Sequence, residues 1–150
     1  MFLEYPLQDP EYYDFGVMRA WLQDKQICYI QTDGCMQRAG VDTWADLVID
    51  TINTWPGNHP IAILQNLTHP DQGFTPYSRS RGMDILAAVP EGRRAFTAIV
   101  MRDSFVNRTL GFFINSIRHD DTVVIRIFTD ADKALTWLRT QIEEYNRTLA

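Results

Sequence analysis

The sequence contains only two cysteines, Cys28 and Cys35, among its 150 residues. They lack the paired spacing that is typical of zinc or redox sites, so we expect reduced thiols and a core that forms without disulfide bonds. No apolar run approaches the roughly 18 residues that a membrane-spanning helix needs. No early basic segment followed by an apolar one resembles a signal peptide. Together these absences predict a soluble, cytoplasmic protein.

Residues of the kind that build metal and catalytic sites are also scarce. The three histidines, His59, His69 and His119, have neither i, i+4 spacing nor companion cysteines, so we expect no metal site. The chain has no glycine-rich phosphate loop of the Walker or dinucleotide type. No serine lies in a Gly-x-Ser-x-Gly elbow, and neither cysteine has a base beside it in sequence. We therefore expect no cofactor and no enzymatic activity.

The charge balance is acidic overall but uneven along the chain. The formal net charge of -5 argues against nucleic-acid binding, because neutralising phosphates requires clustered lysine and arginine. Residues 1–74 carry ten acids and three bases, whereas residues 75–118 carry seven arginines and three acids. A basic middle third within an acidic chain indicates a face with a partner of its own.

Hydrophobic periodicity predicts a single α/β domain over residues 1–150, with residues 1–14 as a loosely attached lead-in. The predicted order is ββαβαβαβα, in which a β-hairpin is followed by alternating helices and strands. This order implies a five-stranded mixed sheet, mainly parallel in its later strands, with four helices covering it. The predicted strands are 15–22, 27–32, 60–67, 94–101 and 122–128, and the helices are capped at Asp42 or Thr43, at Thr75, at Ser104 and at Asp130.

The junction over residues 66–81, between the third predicted strand and the second predicted helix, carries the strongest local pattern. Thr75 followed by Pro76 is typical of an N-cap with proline at the first helical position. The first two turns then hold two arginines and no carboxylate, although the positive end of the helix dipole favours negative charge. An ordinary capped surface helix would explain the same pattern. The alternative is an anion at this helix start, bound by Thr75, Ser78, Arg79 and Arg81.

Two phenylalanines of the third predicted helix fall outside its apolar stripe. On a helical wheel with Leu110 at zero, Phe112 lies at about 200° and Phe105 at about 220°, close to Arg108. Exposed aromatic rings beside arginine suit a membrane surface, a dimer interface or the mouth of an apolar pocket. If the helix is covered on two sides, both rings belong to the core instead.

The end of the chain is similar to that of a known group of domains. Residues 126–138 form a predicted strand leading into a helix capped by Asp130, with an Ala-Leu-x-Trp-Leu core at residues 134–138. This segment resembles the ending of STAS/SEC14-like domains, relatives of the bacterial anti-sigma-factor antagonists. The junction at residues 75–79 resembles the version found in a bacterial subgroup. The resemblance covers residues 13–145 and implies a non-enzymatic layered domain of five strands and four helices.

The two branches of that group imply different functions. In the antagonist branch, a serine at the start of the second helix is phosphorylated by a partner kinase, and its charge switches binding to that partner. The Asp-Ser pair of that branch does not follow the third predicted strand here, but Thr75, Ser78 and Ser80 are hydroxyls near the equivalent position. The lipid-carrying branch implies an apolar pocket and membrane contact, which would suit Phe74, Phe105 and Phe112.

The sequence therefore favours a binding or regulatory module. The leading hypothesis is a face that recognises an anionic, partly apolar ligand, such as a lipid or acyl compound, with peripheral membrane contact. The residues of the helix start would then bind the anion, and the three phenylalanines would bind the apolar part. The alternative is a protein-protein switch of the antagonist type, controlled by Ser/Thr phosphorylation. A homodimer is compatible with both.

Overall fold

The computed structural model describes residues 6–22, 25–33, 37–70, 73–104 and 122–149. Within them, six strands form one sheet, in which neighbours in space are also neighbours in sequence. The α/β class predicted from the sequence is confirmed, with six strands rather than five. The strands are β1 (Gln8–Tyr12), β2 (Met18–Leu22), β3 (Ile27–Gln31), β4 (Ile61–Leu67), β5 (Ala95–Met101) and β6 (Val123–Phe128).

Three α-helices lie within the described residues: α1 (Arg38–Asn53), α2 (Pro76–Ala88) and α3 (Ala131–Leu149). The sequence predicts four. The additional predicted helix, which is capped by Ser104 and contains Phe105 and Phe112, falls after Ser104 on residues outside the described ranges.

The sheet is mixed, as predicted. β1, β2 and β3 pair antiparallel, whereas β3, β4, β5 and β6 pair in parallel. Crossovers between parallel strands are right-handed, so α1, between β3 and β4, and α2, between β4 and β5, lie on the same face of the sheet. The C-terminal helix α3 packs on the opposite face.

Alternation along the central strands divides the core into two layers. Successive side chains of a strand point to opposite faces of the sheet. Ile61 and Ile63 of β4 pack with α1 and α2, whereas Ala62 and Leu64 pack with α3. All four side chains are buried, as expected for a central parallel strand that is covered on both faces.

The start of α2 agrees with the sequence prediction. Thr75 is the N-cap and Pro76 is the first helical residue. Thr75 Oγ1 accepts a hydrogen bond from the Ser78 amide at 3.1 Å, and Ser78 Oγ accepts one from the Thr75 amide at 2.9 Å. This reciprocal capping box satisfies two backbone donors that a helix start otherwise leaves unpaired.

The predicted lead-in of residues 1–14 contains an ordered strand that the sequence prediction missed. β1 is an edge strand whose five residues are all exposed, and Pro10 lies within it, so no hydrophobic alternation marks it. A cross-strand ion pair secures it to β2, with Arg19 Nη2 lying 3.0 Å from Glu11 Oε1. Arg19 also donates to Thr51 Oγ1 of α1 at 2.9 Å, so one side chain joins β1 and β2 to the helix layer.

The first helix begins four residues earlier than its predicted cap. α1 starts at Arg38 rather than after Asp42, and its N-cap, Gln37, makes no side-chain capping bond. Gly40 and Val41 are buried, so tertiary packing extends the helix upstream of the residues best suited to cap it.

Cys28 is expected to be unreactive in the native protein. It lies fully buried in β3, and burial raises the pKa of its thiol to about 12. Because the thiolate is the reactive form, iodoacetamide at mildly alkaline pH should modify Cys28 only after unfolding in urea. Peptide mass spectrometry separates Cys28 from Cys35, which lies outside the described residues. Alkylation of native Cys28 as fast as in the unfolded chain would contradict its burial.

Candidate functional site

A cavity of about 130 Å³ lies between α2 and the sheet. Its floor is formed by the side chains of β4, β5 and β6 that point towards this helix layer. Trp44, Val48 and Ile52 of α1 line one flank, and residues of α2 cover it. Most of the lining side chains in the described part of the chain are apolar.

The composition of α2 explains why this space is not filled. The end of the helix packs on the core through Ile85, Leu86, Ala88 and Val89. Its first half instead presents Ser78, Arg79 and Gly82 to the cavity. A Cβ atom added at Gly82 would have no heavy atom of the described residues within 4 Å. Small and polar residues in this half therefore leave an open space between the helix and the sheet.

The cavity is polar at one end and apolar at the other. β4 and β5 run in parallel, with Ile61 opposite Ala95 and Leu67 opposite Met101, and all four residues line the cavity. The seven residues of β4 span about 20 Å at 3.3 Å per residue. The start of α2 follows the carboxyl end of β4, so Ser78 and Arg79 lie towards that end. The amino ends of the strands form the apolar end, where Val123 of β6 is added.

The structure brings three of the predicted site residues together in this cavity. Phe74, Ser78 and Arg79 all line it, and Phe74 is 38% exposed. Thr75 is exposed as the N-cap, and Ser80 is also exposed. The Ser78 hydroxyl is buried and is used by the capping box. Phe105 and Phe112 lie outside the described residues.

Arg81 has a different environment from the one expected from the sequence. Its guanidinium forms ion pairs with Asp42 at 3.4 Å, with Asp84 at 3.0 Å and with Asp46. Tyr77 also donates a hydrogen bond to Asp42, which raises the pKa of Tyr77. Because three carboxylates surround one guanidinium, Arg81 joins α2 to α1, and this placement does not support its expected contact with an anionic ligand.

Gln65 is a site residue that the sequence reasoning missed. It is 4% exposed, lies in β4 and lines the cavity. Trp44 Nε1 donates a hydrogen bond to Gln65 Oε1 at 2.9 Å. The sequence does contain a sign of this role, since a glutamine stands near the end of a largely apolar strand. A buried carboxamide needs hydrogen-bond partners.

A second polar cluster lies on the α3 side of the same strand ends. Asn66 Nδ2 donates to the Tyr29 hydroxyl at 2.9 Å, and that hydroxyl donates to Gln31 Oε1 at 2.6 Å. Asn66 Oδ1 accepts hydrogen bonds from the amide and the hydroxyl of Thr68. Burial raises the pKa of Tyr29 to about 12. These mutually satisfied groups tie β3 to β4, so the cluster has a structural role.

Within residues 6–22, 25–33, 37–70, 73–104 and 122–149, no cluster of three or more histidine, cysteine, aspartate or glutamate side chains could hold a metal ion. None of the helices in these ranges is both long and apolar enough to cross a bilayer.

Comparison with known proteins leaves the function to be inferred from this geometry. No protein-family model, curated protein or solved structure matches the chain.

Proposed function

We propose that this domain binds a small amphipathic molecule, with its hydrocarbon part in the cavity and an anionic group at the start of α2. The observation that carries this proposal is the space under α2, which is apolar over most of its length and polar at one end. Small-molecule sites typically combine apolar walls with a few placed polar groups. A cavity with apolar walls and a polar end would also fit the lipid-carrying branch of the STAS/SEC14-like domains.

The polar end suits negative charge. The first turn of α2 contains no acidic residue, and the amides of a helix start carry partial positive charge. Arg79 adds a full positive charge beside them and lines the same end of the cavity. Both charges would attract a carboxylate or phosphate here. Phe74 at the same end would contact the apolar part next to the head group.

The apolar end suits a hydrocarbon chain. Val48, Ile52, Ile61, Ala95 and Val123 contribute side chains without hydrogen-bonding groups. Burying one methylene group contributes about 0.8 kcal/mol, so a chain of several carbons would supply much of the binding free energy. The described lining of the cavity offers apolar surface to a ligand and does not pair a nucleophile with a base. We therefore propose binding rather than catalysis.

The alternative, a phosphorylation switch, has less support at this site. Ser78 is 6% exposed, and its hydroxyl accepts from the Thr75 amide and donates to the Thr75 carbonyl, each at 2.9 Å. A kinase could reach Ser78 only after the first turn of α2 had opened. Thr75 and Ser80 are exposed hydroxyls, so phosphorylation at either remains compatible with the folded helix.

Binding can be measured with cis-parinaric acid, a fluorescent fatty acid. Because Trp44 lies in the cavity wall, we expect saturable energy transfer from tryptophan to the bound probe. Removing the charge by Arg79→Ala should weaken binding about tenfold, the value of one charge-assisted hydrogen bond. Arg93→Ala is the matched control, because Arg93 donates to the His59 carbonyl at 2.8 Å, outside the cavity lining. The absence of saturable transfer in the wild-type protein would rule out the proposal.

A further inference from the structure

One buried polar side chain of the cavity wall makes, within the described residues, one of the four hydrogen bonds that a carboxamide can make. Gln65 accepts a hydrogen bond from Trp44 Nε1 at 2.9 Å. An indole N–H can only donate, so the Gln65 atom that faces Trp44 must be the carboxamide oxygen. This requirement fixes the orientation of the side chain, which the shape of a carboxamide alone does not. The two N–H donors of Nε2 therefore point away from Trp44.

Because Trp44 holds the carboxamide oxygen, the two N–H groups of Nε2 are left facing the cavity. No acceptor in the described part of the chain bonds to Gln65 Nε2. The residue is only 4% exposed, and it lines the cavity. A buried N–H that remains unpaired is costly, so an acceptor supplied by a ligand would be favoured here.

The neighbours of Gln65 on this face of the sheet are hydrocarbon. Ile63 and Leu67 precede and follow it on the same side of β4, Ile30 lies opposite on β3, and Ile99 lies opposite on β5. None of these side chains can accept or donate a hydrogen bond. The amide lies two residues before the end of β4, about 7 Å from the carboxyl end of the strand.

The side chains around this amide determine which kind of ligand oxygen could accept a hydrogen bond from it. A carboxylate would be drawn to Arg79 and the start of α2, and burying its charge beside Ile63 and Ile99 instead would be expensive. A hydroxyl would bring a donor of its own, for which Ile63, Leu67 and Ile99 offer no acceptor. The Thr97 hydroxyl also lines the cavity, but it lies opposite Ile63 rather than opposite Gln65. A carbonyl oxygen accepts without requiring anything in return.

We propose that Gln65 determines ligand specificity by donating a hydrogen bond from Nε2 to a carbonyl oxygen of the bound molecule. This inference rests on the proposed function and narrows its ligand class to carbonyl-bearing chains, such as acyl compounds. Trp44 is a positioning residue, because it holds the carboxamide oxygen and so turns the nitrogen to the ligand. The hydrocarbon tail continues from the carbonyl towards the apolar end of the cavity.

Two neutral probes of matched shape test the role of the carbonyl. One is methyl nonyl ketone, and the other is the alkene in which a CH₂ group replaces the carbonyl oxygen. Both are measured by their displacement of cis-parinaric acid. The wild-type protein should bind the ketone about tenfold more tightly than the alkene, because only the ketone pairs with the amide.

Two variants assign that preference to Gln65. Trp44→Phe removes the indole donor that orients the amide but leaves the amide in place, so the preference for the ketone should fall below the wild-type value without disappearing. The double variant Trp44→Phe/Gln65→Met removes the amide at similar volume and leaves no unpaired indole N–H. It should bind the ketone no more tightly than the alkene, because nothing then replaces the hydrogen bonds that the carbonyl loses on leaving water. Circular dichroism of both variants verifies that they are folded.

The outcomes separate this inference from the proposed function. Equal binding of the two probes by the wild-type protein would overturn the role of Gln65 and leave cavity binding intact. A preference that survives in the double variant would overturn it as well. If the wild-type protein binds cis-parinaric acid and neither neutral probe, Gln65 has no such role. If it binds none of the three, the proposed function fails. The wild-type comparison needs no substitution and stands even if the double variant unfolds.

Discussion

Replacing Leu138 with alanine is expected to lower the free energy of unfolding by about 3 kcal/mol. Leu138 has no exposed surface and belongs to the stripe of α3 that packs on the sheet. Its truncation removes buried methyl groups and leaves a void that the surrounding strands cannot close. For a chain of this length, the melting temperature should fall by about 6–12 °C. Urea unfolding followed by far-UV circular dichroism measures the change.

Leu149 provides the control on the same helix. It is 67% exposed, so Leu149→Ala should change stability by less than about 0.5 kcal/mol. If the two substitutions had equal effects, α3 would not pack through the face that contains Leu138.

Replacing Gly82 with leucine is expected to stabilise the fold and abolish most ligand binding. Gly82 lies in α2 and lines the cavity, and a side chain there begins in empty space. Leucine removes the helical cost of glycine, about 1 kcal/mol, and its own hydrocarbon becomes buried. The same side chain displaces about three methylene groups of a ligand, which corresponds to a loss of affinity of about a hundredfold. Urea unfolding and cis-parinaric acid titration measure the two effects.

Gly82→Ala separates the two contributions. Alanine gives the same gain in helix propensity, about 1 kcal/mol, but occupies little of the cavity. Its affinity for cis-parinaric acid should stay within about threefold of the wild-type value, since it displaces less than one methylene group. If Gly82→Leu bound the probe as tightly as Gly82→Ala does, the space under α2 would not be the binding site.

The features that the sequence predicts well are those that depend on nearby residues. Thr75 caps α2 because its partner in the capping box, Ser78, is three residues away. The buried residues Ala134, Leu135, Leu138 and Ile142 of α3 recur with the period of a helix, which the sequence alone displays. Leu149 continues the same period yet is exposed, because a local period does not indicate where the core ends.

The features that the sequence does not predict depend on distant partners. β1 is polar and exposed, and only its pairing with β2 and the ion pair with Arg19 make it a strand. Arg81 and Asp46 are 35 residues apart in the sequence. No local pattern therefore predicts the ion pairs that join α2 to α1. An arginine near a helix start therefore indicates an anion, but the sequence does not show that α1 provides it.

The cavity combines both kinds of information. The sequence places Phe74, Ser78 and Arg79 at the start of α2, and the structure brings them to one end of the cavity. The role of Gln65 depends on Trp44, 21 residues away, and on the space that α2 leaves beneath it. The hydrophobic period of the sequence predicts neither the contact between Trp44 and Gln65 nor the space under α2.

The incomplete packing of α2 has a thermodynamic consequence. The helix is held along one flank by Arg81 and against the core by Leu86 and Val89, while the cavity replaces packing under much of its length. Segments with few buried apolar contacts open at the lowest free energy. A molecule that binds only the closed form stabilises it in proportion to the logarithm of ligand concentration over Kd. Occupancy of the cavity and the order of α2 are therefore linked equilibria, and a change in ligand concentration becomes a change in the population of open helix.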